Sequence, residues 1–503
     1  MRTYLTTTIP YVNARPHIGF ALELVQADVL ARSRRSRGDQ VRFQAGTDDN
    51  SLKNVLAAKA AGRDVAEFVD HNGRCFTSLG TELALTVDDV IRTGSDPRHR
   101  PGVEKLWRAC AGDLYRRHYE GLYCTGCEQF YTPPERCADH EAPLEQVTEE
   151  NWFFRLSRYA DQLRAAITSG RLRIEPAGRR NEVLALIDGG LQDFSVSRPA
   201  RRADGWGIPV PGDPGQVIYV WFDALANYIT ALGYGGDETQ YRRWWAGDSR
   251  RVHLLGKGVI RFHAVYWPAM LLSAGLPLPT ELYVHDYLTA GGRKISKSAA
   301  GAGLPGTPLP GPAALARDYG ADALRWWLLR EVPRVGDADF TVERLIARAD
   351  DELANGIGNL VNRVVSMIHR YREGRVPAAG TGDALCRDVP GQVDAALADF
   401  DFRQATAAVW AIADQANRYA SSERPWELAR DPAAAARLDE VLATLYLACG
   451  VLGRELAPFL PDAATRITAQ LTPEEGLLPG PVPVFRRLLT GSTGRVSSQD
   501  EYV

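Results

Sequence analysis

Between Thr3 and about Tyr115, short apolar runs (Tyr4–Ile9, Val41–Gln44, Asp89–Ile91) alternate with stretches of helical periodicity (Ala21–Arg37, Ser51–Ala61, Val65–Leu79). This alternation predicts a parallel sheet covered by helices. From Tyr119 to about Pro214 the pattern dissolves into cysteines, turns and an aromatic–polar stretch, Trp152-Phe153-Phe154-Arg155, which marks an insertion. The sheet pattern resumes at Val217–Trp221, Val252–Leu255 and Leu282–Val284. After Phe340 the strands stop. Arg344–Tyr371, Gln392–Ser422 and Ala433–Glu455 keep a helical period, with Pro425 and Pro458 as breakers, so an all-helical region follows. The resulting boundaries are 1–115 and 217–343 for the two halves of the sheet domain, 116–216 for the insertion and 344–503 for the helices. Ala299–Ala314, rich in Gly, Pro and Ala, reads as a mobile loop.

The length of 503 residues exceeds what one core supports and predicts two to four domains. A 45% hydrophobic and 24% charged composition is ordinary for globular proteins. The formal charge of -3 does not advertise a polyanion partner, although a local basic face is compatible with an acidic total. No apolar run approaches the roughly 18 residues of a membrane span. The N-terminus lacks a basic-then-apolar signal pattern, which makes the cytoplasm the expected compartment. Seven cysteines, four of them scattered at 75, 110, 386 and 449, argue against a disulfide framework.

The other three cysteines form a different pattern with a histidine: Cys124-x-x-Cys127, then Cys137-x-x-His140. Two chelating pairs on short turns place three thiolates and an imidazole tetrahedrally around zinc, leaving no position open for water, so such a zinc is structural. Pro16-His17-Ile18-Gly19-Phe20 follows the first strand and runs into a helix. There, a histidine and a glycine at a helix N-terminus suit phosphates. Lys294-Ile295-Ser296-Lys297-Ser298, flanked by Gly291-Gly292 and Gly301, is a basic loop fit to neutralise a polyphosphate. Adenylate formation needs such groups, because charge builds on the departing pyrophosphate. Asp48 follows the Val41–Gln44 run, at the strand end where open sheets bind ligands, or else caps the helix from Ser51 onward. Between Tyr219 and Tyr228 lie aromatics placed to wall in an apolar ligand, although core packing is the default role for such residues.

With these residues laid out, the chain resembles the methionyl-tRNA synthetase family of class I aminoacyl-tRNA synthetases, from Thr6 to about Pro461. The resemblance rests on Thr7-Thr8-Ile9-Pro10-Tyr11-Val12-Asn13, the cysteine–histidine knuckle, Glu150-Asn151-Trp152-Phe153-Phe154-Arg155-Leu156, Trp206-Gly207-Ile208-Pro209-Val210-Pro211, and Arg261-Phe262-His263 leading to Trp267-Pro268-Ala269. It implies an α/β fold, a Rossmann-type parallel sheet with a zinc-bearing connective insertion, followed by an all-α anticodon-binding-type bundle. It implies ATP-dependent activation of methionine and its transfer to tRNA, with Mg2+ accompanying ATP. His17, Gly19, Phe20, Lys294, Ser296 and Lys297 fall at ATP-binding positions, with His17, Lys294 and Lys297 catalytic. The methionine pocket falls on Ile9, Tyr11, Trp221, Ala224, Tyr228, Val259 and His263, and Asp48 on the carboxylate that holds the ammonium. Asn359, Arg363 and Trp426 match the positions that read the anticodon, and a monomer is expected.

The chain also departs from that family. Phe20 replaces the second signature histidine, Asp49-Asn50-Ser51 stands for a usual Glu-His-Gly, and Gly258 takes the place of an aspartate. A Gly/Pro-rich insertion follows Ser298. These changes cluster at the reaction centre. They leave two alternatives: a paralogue that passes an activated amino acid to a small amine or hydroxylamine, and a catalytically inactive tRNA-binding protein.

Overall fold

The computed structural model describes residues 1–124, 129–131, 144–295, 309–378 and 383–488. They form two compact units, Met1–Ala313 with Pro333–Ala338, and Ala314–Val332 with Asp339–Val503. At the centre of the first is a six-stranded sheet in the order Asp89–Arg92, Gln40–Thr47, Arg2–Thr7, Arg250–Gly256, Glu281–His285, Arg173–Glu175. Every neighbouring pair is parallel. Its central strands are near-continuously buried, as strands covered on both faces must be. The chain winds outward from Arg2–Thr7 to one edge, lays Arg173–Glu175 at the opposite edge, then returns beside the first strand at Arg250–Gly256 and fills the gap with Glu281–His285. The order therefore reverses between Arg2–Thr7 and Arg250–Gly256, and a crevice opens beyond the carboxyl ends of these two strands.

Two expectations about strands need correction. The chain at Val217–Trp221 does not rejoin the central sheet. Instead, Asp213–Ile218 pairs antiparallel with Ser197–Pro199 and Pro209–Val210 in a small separate sheet, and a helix begins at Val220 and runs to Thr230. Residues from Phe222 to Thr230 are all buried, so no polar face exposes the helical period, and the aromatics mimic a strand. Conversely, the edge strand Arg173–Glu175 arises within the expected insertion, where three residues among charged neighbours give no readable alternation.

The insertion is built on an antiparallel sheet in the order Gln129–Tyr131, Leu114–Cys124, Glu145–Phe154, Phe194–Ser195. Cys124 is buried and lies opposite Gln129 in the ladder. Cys127, Cys137 and His140 lie outside the described residues, as does most of the Ala299–Ala314 segment.

The second unit is helical: Ala321–Arg330, Val342–Arg348, Asn359–Arg372, Val389–Ala398, Phe402–Glu423, Ala435–Leu456 and Pro461–Leu471. The expected Gln392–Ser422 helix is two helices, split where Phe400 takes φ 56° and Asp401 caps the second by accepting from the Gln404 N–H at 2.9 Å. Arg325 is fully buried here. Its guanidinium donates to the carbonyls of Phe459 at 2.7 Å and Pro458 at 3.0 Å, which satisfies a buried charge-bearing group.

Candidate active site

The crevice is lined first by the chain leaving Arg2–Thr7. Tyr11 forms an isolated parallel bridge with Asp48, whose N–H donates to the Pro10 carbonyl at 2.9 Å. The chain thus lays the end of the first strand against the end of Gln40–Thr47. Gly46 is needed for this approach, since a Cβ there would stand 2.4 Å from the Ile91 carbonyl oxygen and 2.9 Å from Ile9 Cγ2. Asp48 is 2% exposed, and its Oδ1 accepts from the Asn50 N–H at 3.2 Å. It is not the helix cap: Ser51 takes that role, accepting from the Lys53 N–H at 3.1 Å.

A second wall comes from the helix Val220–Thr230, which carries Trp221, Ala224 and Tyr228. The Trp221 indole stacks on Phe262 with centroids 3.6 Å apart, and meets Tyr11 at 6.3 Å and His263 at 6.4 Å edge-on. His263 Nδ1 lies 2.9 Å from the Val259 carbonyl, which only accepts, so the ring proton sits there. Nε2 is then free to accept from the Tyr228 hydroxyl at 2.7 Å. The structure thus brings Tyr11, Asp48, Trp221, Tyr228, Val259 and His263 together, with Ile9 and Ala224 on the same elements.

Burial pushes the His263 imidazole down to about 4, so it is neutral at physiological pH. Between about 6.5 and about 4 an unfolded chain binds this proton and the folded one does not. The associated stability is complete above about 6.5 and drains away as pH falls towards 4, by at most roughly 3 kcal/mol. We expect His263→Gln to lose less stability than the parent protein between pH 7 and 4.5, read by chemical denaturation; parallel losses would contradict this assignment. Behind the pocket, Tyr228 stacks on His253 at 4.1 Å, and His253 Nδ1 meets Thr6 Oγ1 at 2.6 Å. Burial likewise holds His253 neutral.

On the other side of the switch point, His17 caps the helix Ile18–Ser36, its Nδ1 accepting from the Gly19 N–H at 3.1 Å. Phe20, one turn in, is 8% exposed and packs edge-to-face on Phe76 at 5.2 Å. Its ring belongs to the contact between this helix and Val65–Thr77. A Phe20/Phe76 double-mutant cycle to leucine is expected to show coupling of about 0.5–1.5 kcal/mol in unfolding free energy. Of the basic loop, Lys294 ends a short strand paired with Leu288–Ala290, whereas Ser296 and Lys297 lie outside the described residues.

A polar cluster that sequence reasoning missed joins the same strand ends. Thr8 donates through both its N–H and Oγ1 to Glu23 Oε1, each at 2.6 Å. Glu23 Oε2 takes His285 Nε2 at 3.0 Å, and all but Thr8 are buried. The available signal was a carboxylate on the apolar face of the signature helix. Lys257, beside Gly258, pairs with Asp337 at 2.6 Å and Asp286 at 3.4 Å.

In the helical unit, Asn359 and Arg363 share a face of Asn359–Arg372, and Arg363 donates to Asn417 Oδ1 at 3.4 Å on Phe402–Glu423. Trp426, 37% exposed, stands on the short helix that follows, Pro425–Leu428. Among the described residues no helix is long and apolar enough to cross a membrane, and no group of three or more His, Cys, Asp or Glu is gathered for a metal.

A parallel sheet with a reversed strand order and a histidine-capped helix at the switch point defines an open, doubly wound α/β fold of the nucleotide-binding type. The family model described as tRNA synthetases class I (M) matches residues 3–146 and 134–365. A methionine–tRNA ligase of Caldanaerobacter subterraneus is 38% identical over 488 residues, spanning 94% of this chain and 74% of that protein. One of Brucella suis is 39% identical, spanning 92% and 90%. The structure of Mycobacterium tuberculosis methionyl-tRNA synthetase in complex with methionyl-adenylate superposes with a TM-score of 0.89 at 36% identity, covering 97% of this chain and 100% of that one. The chain belongs to the methionine–tRNA ligase family of class I tRNA synthetases.

Proposed function

We infer that this protein activates methionine with ATP and transfers it to tRNA. The single observation that carries this reading is the assembled pocket: Asp48 beside Tyr11, walled by Trp221 and closed by the neutral Tyr228–His263 pair. An uncharged aromatic box suits a thioether, which is polarizable and favours ring edges. Asp48 supplies the one charge the amino acid's ammonium requires. The methionine carboxylate then attacks the α-phosphate of ATP, the bond to the β-phosphate breaks, and methionyl-adenylate and pyrophosphate form. His17, Lys294 and Lys297 stabilise the charge gathering on the phosphates, with Gly19 and Ser296 shaping the nucleotide site. Mg2+ accompanies ATP and offsets its phosphate charge. In the second step a ribose hydroxyl of the terminal adenosine of tRNA takes the acyl group, while Asn359, Arg363 and Trp426 engage the anticodon bases. We propose further that the protein works in the cytoplasm as a monomer.

Phe20 and Asn50, two of the departures from the family, each have a packed or hydrogen-bonded place. Charging of a methionine tRNA transcript with labelled methionine tests this reading. Stable acyl-tRNA is the expected product. Adenylate formation without charging would instead favour a small-molecule acceptor, and tRNA binding with neither activity an inactive binding protein.

Cys124, Cys127, Cys137 and His140 would hold a structural zinc. The described member fits, being a buried cysteine at a strand end whose partner strand begins just after Cys127. Elemental analysis should find one zinc per chain, and substitution of Cys137 by serine should abolish it; a metal-free native protein would refute the site.

A further inference from the structure

Asn50 occupies a position where the family resemblance places a histidine, and by sequence alone it counts as a loss at the reaction centre. Its surroundings are specific. One amide, Nδ2, reaches Asp223 Oδ2 at 2.7 Å and the Thr93 carbonyl at 3.3 Å. Both partners accept only, so the side chain must present N–H groups here. Asp223 is 1% exposed and sits on the helix Val220–Thr230 between Trp221 and Ala224. Its other oxygen takes Nε2 of the fully buried His99, whose Nδ1 meets Thr230 Oγ1 at 2.8 Å. The Asn50 backbone, in turn, donates the N–H that holds Asp48 Oδ1. Thus one residue links the Asp48 carboxylate, just past the strand Gln40–Thr47, to the helix bearing the aromatic wall.

We propose that Asn50 is a positioning residue for the amino acid: clamped between Asp223 and the Thr93 carbonyl, it fixes the backbone N–H that aims Asp48 and holds that carboxylate in register with Trp221, Ala224 and Tyr228. The requirement at position 50 is a donor to Asp223, which asparagine and histidine both satisfy. A carboxylate there would oppose Asp223 and the Thr93 carbonyl, and a methyl would leave Asp223 short of a buried partner. The substitution in this chain therefore preserves a connection instead of removing one. His99 and Thr230 complete the anchor from the far side and hold Asp223 in place.

This inference rests on the methionine-activation reading, so the parent protein is assayed first. Methionine-dependent pyrophosphate exchange by the parent upholds that reading, and its absence would sink the reading before any variant is made. Given exchange, Asn50→Ala should raise KM for methionine about tenfold, with KM for ATP changed less than about twofold. A tenfold change is about 1.4 kcal/mol, near the low end of what a hydrogen bond to a charged group contributes. Asn50→Asp should be worse than alanine, and Asn50→His should return KM for methionine to within about threefold of the parent. Methionine binding followed by tryptophan fluorescence without ATP should rank the variants in the same order, and circular dichroism melts identify any variant that does not fold. An unchanged KM for methionine in Asn50→Ala, a parallel rise in both KM values, or no recovery in Asn50→His would each overturn the proposal.

Discussion

Asp48→Ala is expected to raise KM for methionine in pyrophosphate exchange by at least about thirtyfold, leaving KM for ATP nearly unchanged. Removing one partner of a buried charge pair typically costs about 2–5 kcal/mol, and the lower figure already corresponds to about thirtyfold. The reason is local. Asp48 is 2% exposed, bridged to Tyr11 and held by the Asn50 N–H, so its carboxylate is desolvated and oriented before any ligand arrives. An ammonium entering the pocket meets a charge whose dehydration has already been met by folding. Asp48→Asn should lie between the parent and alanine, since it keeps an acceptor but not the charge. If both variants bind methionine as the parent does, the ammonium is held elsewhere and the pocket is misassigned.

Lys297→Ala is expected to lower the turnover of exchange by about a hundred- to a thousandfold while methionine still binds. A donor positioned for charge that develops only in the transition state is worth about 2.7–4 kcal/mol, and it acts on turnover more than on ground-state affinity. Arginine should rescue only partly, because a planar fork replaces a compact point charge. The contrast between the two variants is diagnostic: one residue governs affinity for the amino acid, the other the rate of phosphate displacement. An Asp48-like effect on methionine affinity from Lys297, or no effect on rate, would refute the role given to the basic loop.

The strands of the central sheet were readable because Tyr4–Ile9, Val41–Gln44, Val252–Leu255 and Leu282–Val284 are short apolar runs, which covered parallel strands require. Each observed strand lies on or overlaps its run. The helix bearing Trp221 was not readable as one, since burial on every side erases the polar face that periodicity detects. The amino-acid residues could be named from motifs, yet their meeting depends on the reversal of strand order, which no local pattern encodes. Glu23 shows the same limit. Its partners Thr8 and His285 lie on different strand ends, and only the sheet brings them within hydrogen-bonding distance.

Read as letters, Phe20 and Asn50 are missing histidines. In the fold, Phe20 fills space against Phe76, and Asn50 bonds Asp223. A substitution's effect depends on what its neighbours accept, and the partners of these two residues are some 56 and 173 positions away in sequence. Gly258 stands beside Lys257, whose ammonium is already paired with Asp337 and Asp286.

The most direct test of the account is ATP–pyrophosphate exchange by the full chain across a panel of the standard amino acids. The pocket built by Asp48, Trp221, Tyr228 and His263 predicts exchange with methionine well above every other amino acid. Exchange with no amino acid, or a clear preference for one other than methionine, would contradict it.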